Sequence, residues 1–451
     1  MRRALSLIFS VILIVSLTIS SNALVMSNSD EKSDVWSEET INTSEAVIPT
    51  DDESEILAVL EDFFERYMDG QKAQTHPDFS DIVIDNSNTQ LYSAMINYDI
   101  DSNGIYGTII DSYSLEIEPK EISIQEKNAS ADVYFCSSHH YQTFSDDQIS
   151  SWKILFNFQL MKIGNSWKIQ NIDGNDHRFK LLEEELNSPA THTAYEGETP
   201  QEILDEKIVE LQNSDLNLLL YGNEDSEESQ RKMADAQSAS VANVSRPFVV
   251  SSAVSYSNTY AMENDEANLL FYYADEDCTN FVSQCVWAGY GGWVKGNDTT
   301  NNRNIKNHYR MYYTGNSNWY DNDWFGHGSG GSGAWEKVNM HCAFVDGNTG
   351  IGPSGEVYNN GRVYTNLSSS SIGVGETLQF KKGAPNSDNS NYAHSVFVVK
   401  INSSASGYNK ILCNAHNSEY LQEPMTTWTK YFGGSNCYMR SIVYGQSTFS
   451  E

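Results

Sequence analysis

The sequence predicts an α+β protein of two globular units, on three observations. A helical period over residues 53–67 is followed by four alternating apolar and polar runs, and a later stretch sets helical patterns ahead of strand patterns. Between them, residues 222–243 are rich in Glu, Ser, Gln and Asp with little bulk, the composition of a linker. With 451 residues the chain has room for both units at about 100–200 residues per domain.

Residues 1–23 open with Arg2 and Arg3, continue through the apolar run 5–17 and close on Ser21-Asn22-Ala23. This predicts an export signal cleaved after Ala23; the run is shorter than the roughly 20 residues of a membrane span, which disfavours an uncleaved anchor. No other segment could cross a bilayer, so the mature chain is expected to be secreted or wall-associated, without stable membrane insertion. Residues 24–52, dominated by Ser, Asn, Thr, Asp and Glu, read as a flexible spacer.

The first unit spans residues 53–185. Ile56, Leu57, Val59, Leu60, Phe63, Phe64 and Tyr67 line one face of a helix, and residues 114–124, 129–138, 152–163 and 166–172 alternate as strands. One helix followed by a curved antiparallel sheet is similar to cystatin-like or nuclear-transport-factor-like domains. His139, His140 and His177 have no ligand spacing and are expected at the surface. The stretch Asp99-Ile100-Asp101-Ser102-Asn103-Gly104 resembles the opening of a calcium loop, but its twelfth position is Ile110 where a bidentate Glu is needed, so a plain turn is expected. Residues 186–244 carry an acidic helical pattern through Ile203, Ile208, Leu211, Leu216 and Leu219, then the linker.

Net charge excludes one class of partner. The chain carries −33, which becomes −35 once Arg2 and Arg3 leave with the signal, and such a surface repels nucleic acid. The same charge argues against simple attraction to an anionic cell wall. Six cysteines (Cys136, Cys278, Cys285, Cys342, Cys413, Cys437) are too few for a disulfide scaffold, although Cys413 with Cys437 is a candidate pair. The sequence has neither a CxxC pair nor an HExxH helix, so neither metal nor organic cofactor is expected.

In the second unit, residues 245–451, a helix is expected over 249–262 and another from Cys278. Strands are expected over 373–381, 395–401, 410–415, 428–432 and 437–444. The octet Asp277-Cys278-Thr279-Asn280-Phe281-Val282-Ser283-Gln284 places a thiol at a helix start. There the unpaired N–H groups and helix dipole favour an anion, and the thiol pKa is expected to fall from about 8.5 towards 3.5–7.5. A nucleophilic cysteine needs a base and a group to orient that base. His394 opens the apolar run 394–399 and is the candidate base. His416 is the preferred orienting group; Asn414 shares its face by alternation and stays open. The Cys278 N–H and the hydroxyl of Tyr272 or Tyr273 are candidate oxyanion donors, with Asp277 as a further supporting residue.

This octet, the 253–261 helix, Gly375-Glu376-Thr377-Leu378-Gln379-Phe380, His394-Ser395-Val396 and Ala415-His416-Asn417 together resemble the bacterial putative amidase domain family. More distantly they look like NlpC-type and CHAP domains. The resemblance covers residues 245–445 and implies a papain-like cysteine hydrolase that acts on amide bonds, often those of peptidoglycan peptides. It departs at Glu376, where the family usually has Asp, and in a long polar insert over 299–362 whose Trp319, Trp324 and Trp335 could stack on sugars or fill the core. Two rivals remain: a wall- or glycan-binding protein without turnover, and a thiol acyltransferase using the same pair.

Overall fold

Helix α1 (Asp51–Ala73) buries Ile56, Leu60, Phe63, Phe64, Tyr67 and Met68, the face its helical period predicts. It begins the described part of the computed structural model: residues 51–145, 147–222, 245–274, 276–312, 323–325, 331–362, 368–383 and 391–449. The expected export signal, the spacer up to residue 50, the linker over 223–244 and Trp319 lie outside the described residues. Residues 49–451 form one compact unit. Among the described residues no helix is long and apolar enough to cross a membrane.

Helix α2 (Ser87–Tyr106) starts at a capping box, in which Asn86 accepts the Thr89 N–H and Thr89 returns a bond to the Asn86 backbone; it stops at Gly107, where φ is +70°. The turn expected over 99–104 is therefore helical. Asp99 and Asn103 lie one helical turn apart, and both are buried against Lys430. Strands β1 (Ile110–Gln125), β2 (Asn128–Tyr141), β3 (Ser150–Ile163) and β4 (Ser166–Gly174) come next as antiparallel neighbours. Helices α3 (His177–Leu186), α4 (Pro189–Ala194), α5 (Pro200–Gln212) and α6 (Leu216–Tyr221) complete this half.

After the short β5 (Ser245–Arg246) come α7 (Val250–Tyr260), α8 (Cys278–Gly289), α9 (Asp298–Lys306), α10 (Gly333–Glu336) and α11 (Val338–Val345). The remaining strands are β6 (Gly355–Arg362), β7 (Thr377–Lys382), β8 (His394–Ile401), β9 (Ile411–Ala415), β10 (Glu419–Pro424), β11 (Cys437–Tyr444) and β12 (Ser447–Thr448). Residues 428–432, expected as a strand, belong largely to helix α12 (Thr426–Tyr431). Trp428, Tyr431 and Phe432 then all reach the core at helical spacing.

The large sheet is antiparallel and runs β1-β2-β3-β10-β9-β8-β7-β11-β6, with β4 on the remaining stretch of β3. Strand β3 gives residues 156–163 to β4 and residues 151–153 to β10, so one sheet passes through both halves of the chain. Alternation along β8 divides its side chains. Val396 and Val398 join the core that includes α1 and α12, whereas Phe397 and Val399 join the core around α8.

Buried polar groups hold the seam. Asp99 pairs with Lys430 at 2.9 Å, and Asp176 with Arg178 at 2.7 Å, while Tyr420 donates its hydroxyl to Asp176. His139, expected at the surface, is buried between Glu423 at 3.1 Å and Tyr141 at 3.2 Å. His177 is half-buried, with its Nε2 shut off from solvent. Cys413 and Cys437 are both buried free thiols.

Candidate active site

All twelve residues of α8 are buried, including the polar members of the octet. A helix buried on every side must satisfy its polar groups from other elements. Thr279 meets the Ser395 hydroxyl at 2.9 Å, and Asn280 accepts from Trp335 Nε1 at 2.6 Å. Ser283 donates to the Trp335 carbonyl at 2.8 Å, and Gln284 accepts from the Tyr256 hydroxyl at 2.6 Å. Trp335 and Trp324 are themselves fully buried and 4.8 Å apart, which makes them core residues rather than a sugar platform.

Asp277 precedes the helix and gathers three donors. Its Oδ1 accepts the Ala274 N–H and Asn280 Nδ2, both at 2.7 Å, and its Oδ2 lies 2.6 Å from His416 Nδ1. The other ring nitrogen of His416 is 3.0 Å from the Tyr260 carbonyl. Both neighbours are acceptors, so the ring satisfies them together only as imidazolium. Burial opposes that charge, yet the hydrogen bond and charge of Asp277 outweigh it and raise the pKa above the ordinary imidazole value. The ring also stacks on Phe281 at 3.9 Å. With both nitrogens engaged, His416 makes no bond to His394. Asn414 is engaged elsewhere too, donating to Ser257 at 3.0 Å and Asn258 at 2.9 Å.

Cys278 is the first residue of α8 and only 2 % exposed. Burial pushes its thiol up to about 11, partly offset by the Ser395 N–H, in place of the expected fall. Its own N–H, the expected oxyanion donor, is given to Asn417 Oδ1 at 3.0 Å. Asn417 holds that position with φ at +101°, a conformation Asn tolerates better than most residues. The two candidate tyrosines are committed to carboxylates: Tyr272 donates to Glu336, and Tyr273 donates to Glu419 at 2.7 Å.

His394 is fully buried, and neither ring nitrogen has a hydrogen-bond partner among the described residues, the Cys278 sulfur included. It takes the side of β8 shared by Val396 and Val398, while Ser395 faces α8. The ring lies 4.5 Å from His177 at an interplanar angle of 23° and 6.1 Å from Phe432. Burial, then the charge of His177, lowers its pKa well below the ordinary value. The thiol and the imidazole are consequently both neutral at pH 7. His394 thus lies on the face of β8 opposite the one that Ser395 presents to α8. The sequence offers Asn417, beside Asn414 and His416, as an orienting group, whereas in the structure it caps the Cys278 N–H. Ser395 and this role for His177 were not singled out, since each is defined by contacts across the sheet.

Residues 249–439 match the family described as "Putative amidase domain". That stretch is similar to the amidases. It contains Cys278, His394, Asn414 and His416, and the match bears out the resemblance carried by the octet. A hydrolytic activity on amides is what this family description indicates. Among solved structures the chain is similar to the Kfla4162 protein from Kribbella flavida, at 14 % identity and a TM-score of 0.20 over 28 % of this chain and 91 % of that one. A likeness of that size carries no functional argument. Comparison with curated proteins gives no match. Among the described residues, no group of three or more His, Cys, Asp or Glu is placed to hold a metal ion.

Proposed function

We propose that the chain is an exported cysteine hydrolase with a papain-like, NlpC-type C-terminal domain that cleaves amide bonds, those of peptidoglycan stem peptides first among them. The observation that carries this reading is Cys278 at the first position of α8, its sulfur beside the N–H of Ser395, the residue next to His394. In the reaction, His394 accepts the thiol proton as sulfur forms a bond to the amide carbonyl carbon. The carbon–nitrogen bond then breaks, and the amine leaves with that proton. Water hydrolyses the thioester, restoring the thiol and releasing the acid. Two neutral groups are a competent starting state for such a general-base step. His416 and Asp277 serve in this reading to anchor the approach to the nucleophile, through the bonds of Asp277 to Ala274, Asn280 and His416. Two N-terminal helices followed by four antiparallel strands support a cystatin-like or nuclear-transport-factor-like domain.

A second reading is a non-catalytic wall-binding protein, and the separation of His394 from Cys278 across β8 favours it. One comparison separates the two. Mass spectrometry of purified peptidoglycan should show fragments released by the wild-type protein and none released by Cys278→Ala. Equal fragment release by both would exclude the cysteine mechanism, and release by neither, with both proteins retained on the wall, would support binding alone.

A further inference from the structure

Both members of the proposed pair are tied to one short segment of the N-terminal half, residues 175–177, which follows β4 and ends on the first residue of α3: His394 directly, and Cys278 through Asn417. Asn175 Nδ2 donates to the Asn417 carbonyl at 3.0 Å, and the Asn175 carbonyl accepts the Ser418 hydroxyl at 2.7 Å. The His177 N–H in turn reaches the same Ser418 hydroxyl at 3.3 Å. These bonds fix the turn between β9 and β10, and from that turn Asn417 caps the Cys278 N–H. Two residues on from Asn175, the His177 ring stacks on His394.

We infer that residues 175–177 form a latch: His177 and Asn417 are positioning residues that hold His394 away from the Cys278 sulfur and keep the Cys278 N–H occupied. The inference rests on the Cys278–His394 reading above. Its physical basis is competition. An N–H that donates to Asn417 cannot donate to an oxyanion, and an imidazole stacked on His177 on one face of β8 cannot take a proton from a thiol on the other. The closed arrangement also leaves both His394 nitrogens and His177 Nε2 buried and unpartnered among the described residues. Such groups disfavour the state that contains them, so the closed state depends on the surrounding packing and gives way when that packing is loosened. His394 is the first residue of β8, where a side chain can change faces with the least loss of strand pairing. The latch therefore makes the N-terminal half a control element of the amidase site.

The test uses full-length protein and iodoacetamide, with alkylation of the Cys278 peptide followed by mass spectrometry at pH 7. Loss of one aromatic stack corresponds to a rate increase of roughly three- to tenfold in His177→Ala. Asn417→Gly, which suits the positive φ at that position, removes the cap and loosens the turn that His177 shares through Ser418, so it is expected to accelerate as well. Adding His394→Ala to either variant should abolish the gain. Should His177→Ala fail to fold, as judged by thermal unfolding, Asn417→Gly carries the test. Rates within twofold of wild type in the folded variants overturn the latch; if His394→Ala still slows wild-type alkylation, the proposed function stands without it. A gain that survives His394→Ala instead overturns His394 as the base, and with it the latch as stated.

Discussion

Asp277 and the Tyr260 carbonyl hold His416 between two acceptors, which gives its ring a distinct titration. Its folded pKa is raised above the unfolded value of about 6.5. The stability it contributes is therefore fully present below about pH 6.5 and is lost as pH rises through the raised folded value. In Asp277→Asn, the His416 resonance should titrate at lower pH by NMR. Urea unfolding at pH 6 should show a loss of roughly 1.5–3 kcal/mol, the scale of a charge-assisted hydrogen bond. An unshifted resonance would remove Asp277 as the cause. The position of Cys278 at a helix start was legible because the polar approach to the octet gives way there to an apolar helical period. Its raised pKa was not, because the partners that bury α8, among them Trp335, Ser395, Tyr256 and His416, are separated from the octet in the chain and meet it only across the fold.

Among the elements, the strands with clear alternation were readable and several helices were not, α2 and α12 among them. Helix α2 buries Tyr92, Ala94, Met95, Ile96, Tyr98 and Ile100, so its apolar residues keep to no single face, and its Asp-Asn-Gly segment imitates a loop. Helix α12 is built from Thr, Trp and Tyr, residues that favour strands, and only the contacts of Trp428, Tyr431 and Phe432 with the core override that preference. Helix α8 ends at a glycine for a packing reason. A Cβ on Gly289 would lie 2.1 Å from the ring of Phe248. Gly289→Ala should cost about 1–3 kcal/mol in denaturant unfolding through overpacking, and a neutral result would mean that Phe248 moves freely.

Across the whole molecule, the sequence suggests two units joined by a linker, whereas the described residues share one sheet through β3 and β10. Three residue pairs in register make that junction, a pairing with no signature in either strand alone. The Asp99–Lys430 pair also joins the two halves, and both residues are buried. Burial alone would raise the Asp99 carboxyl, but Lys430 and Arg178 hold it below the usual carboxylate range. Lys430→Ala strands that charge and should cost about 3–5 kcal/mol in urea unfolding. Because the folded pKa of Asp99 is depressed, its contribution is complete above the unfolded value of about 3.9 and fades as pH falls towards the folded value. Acid unfolding of wild type should therefore steepen below about pH 4, and Lys430→Ala should flatten that dependence; parallel curves would assign the acid sensitivity to other groups.

The shared sheet also governs the fate of a cleaved chain. A protease nick within residues 223–244 would leave the β3–β10 hydrogen bonds, the Asp99–Lys430 pair and the Tyr221–Ser406 contact all intact. The two fragments should then elute together from a sizing column as a noncovalent heterodimer, separating only in denaturant.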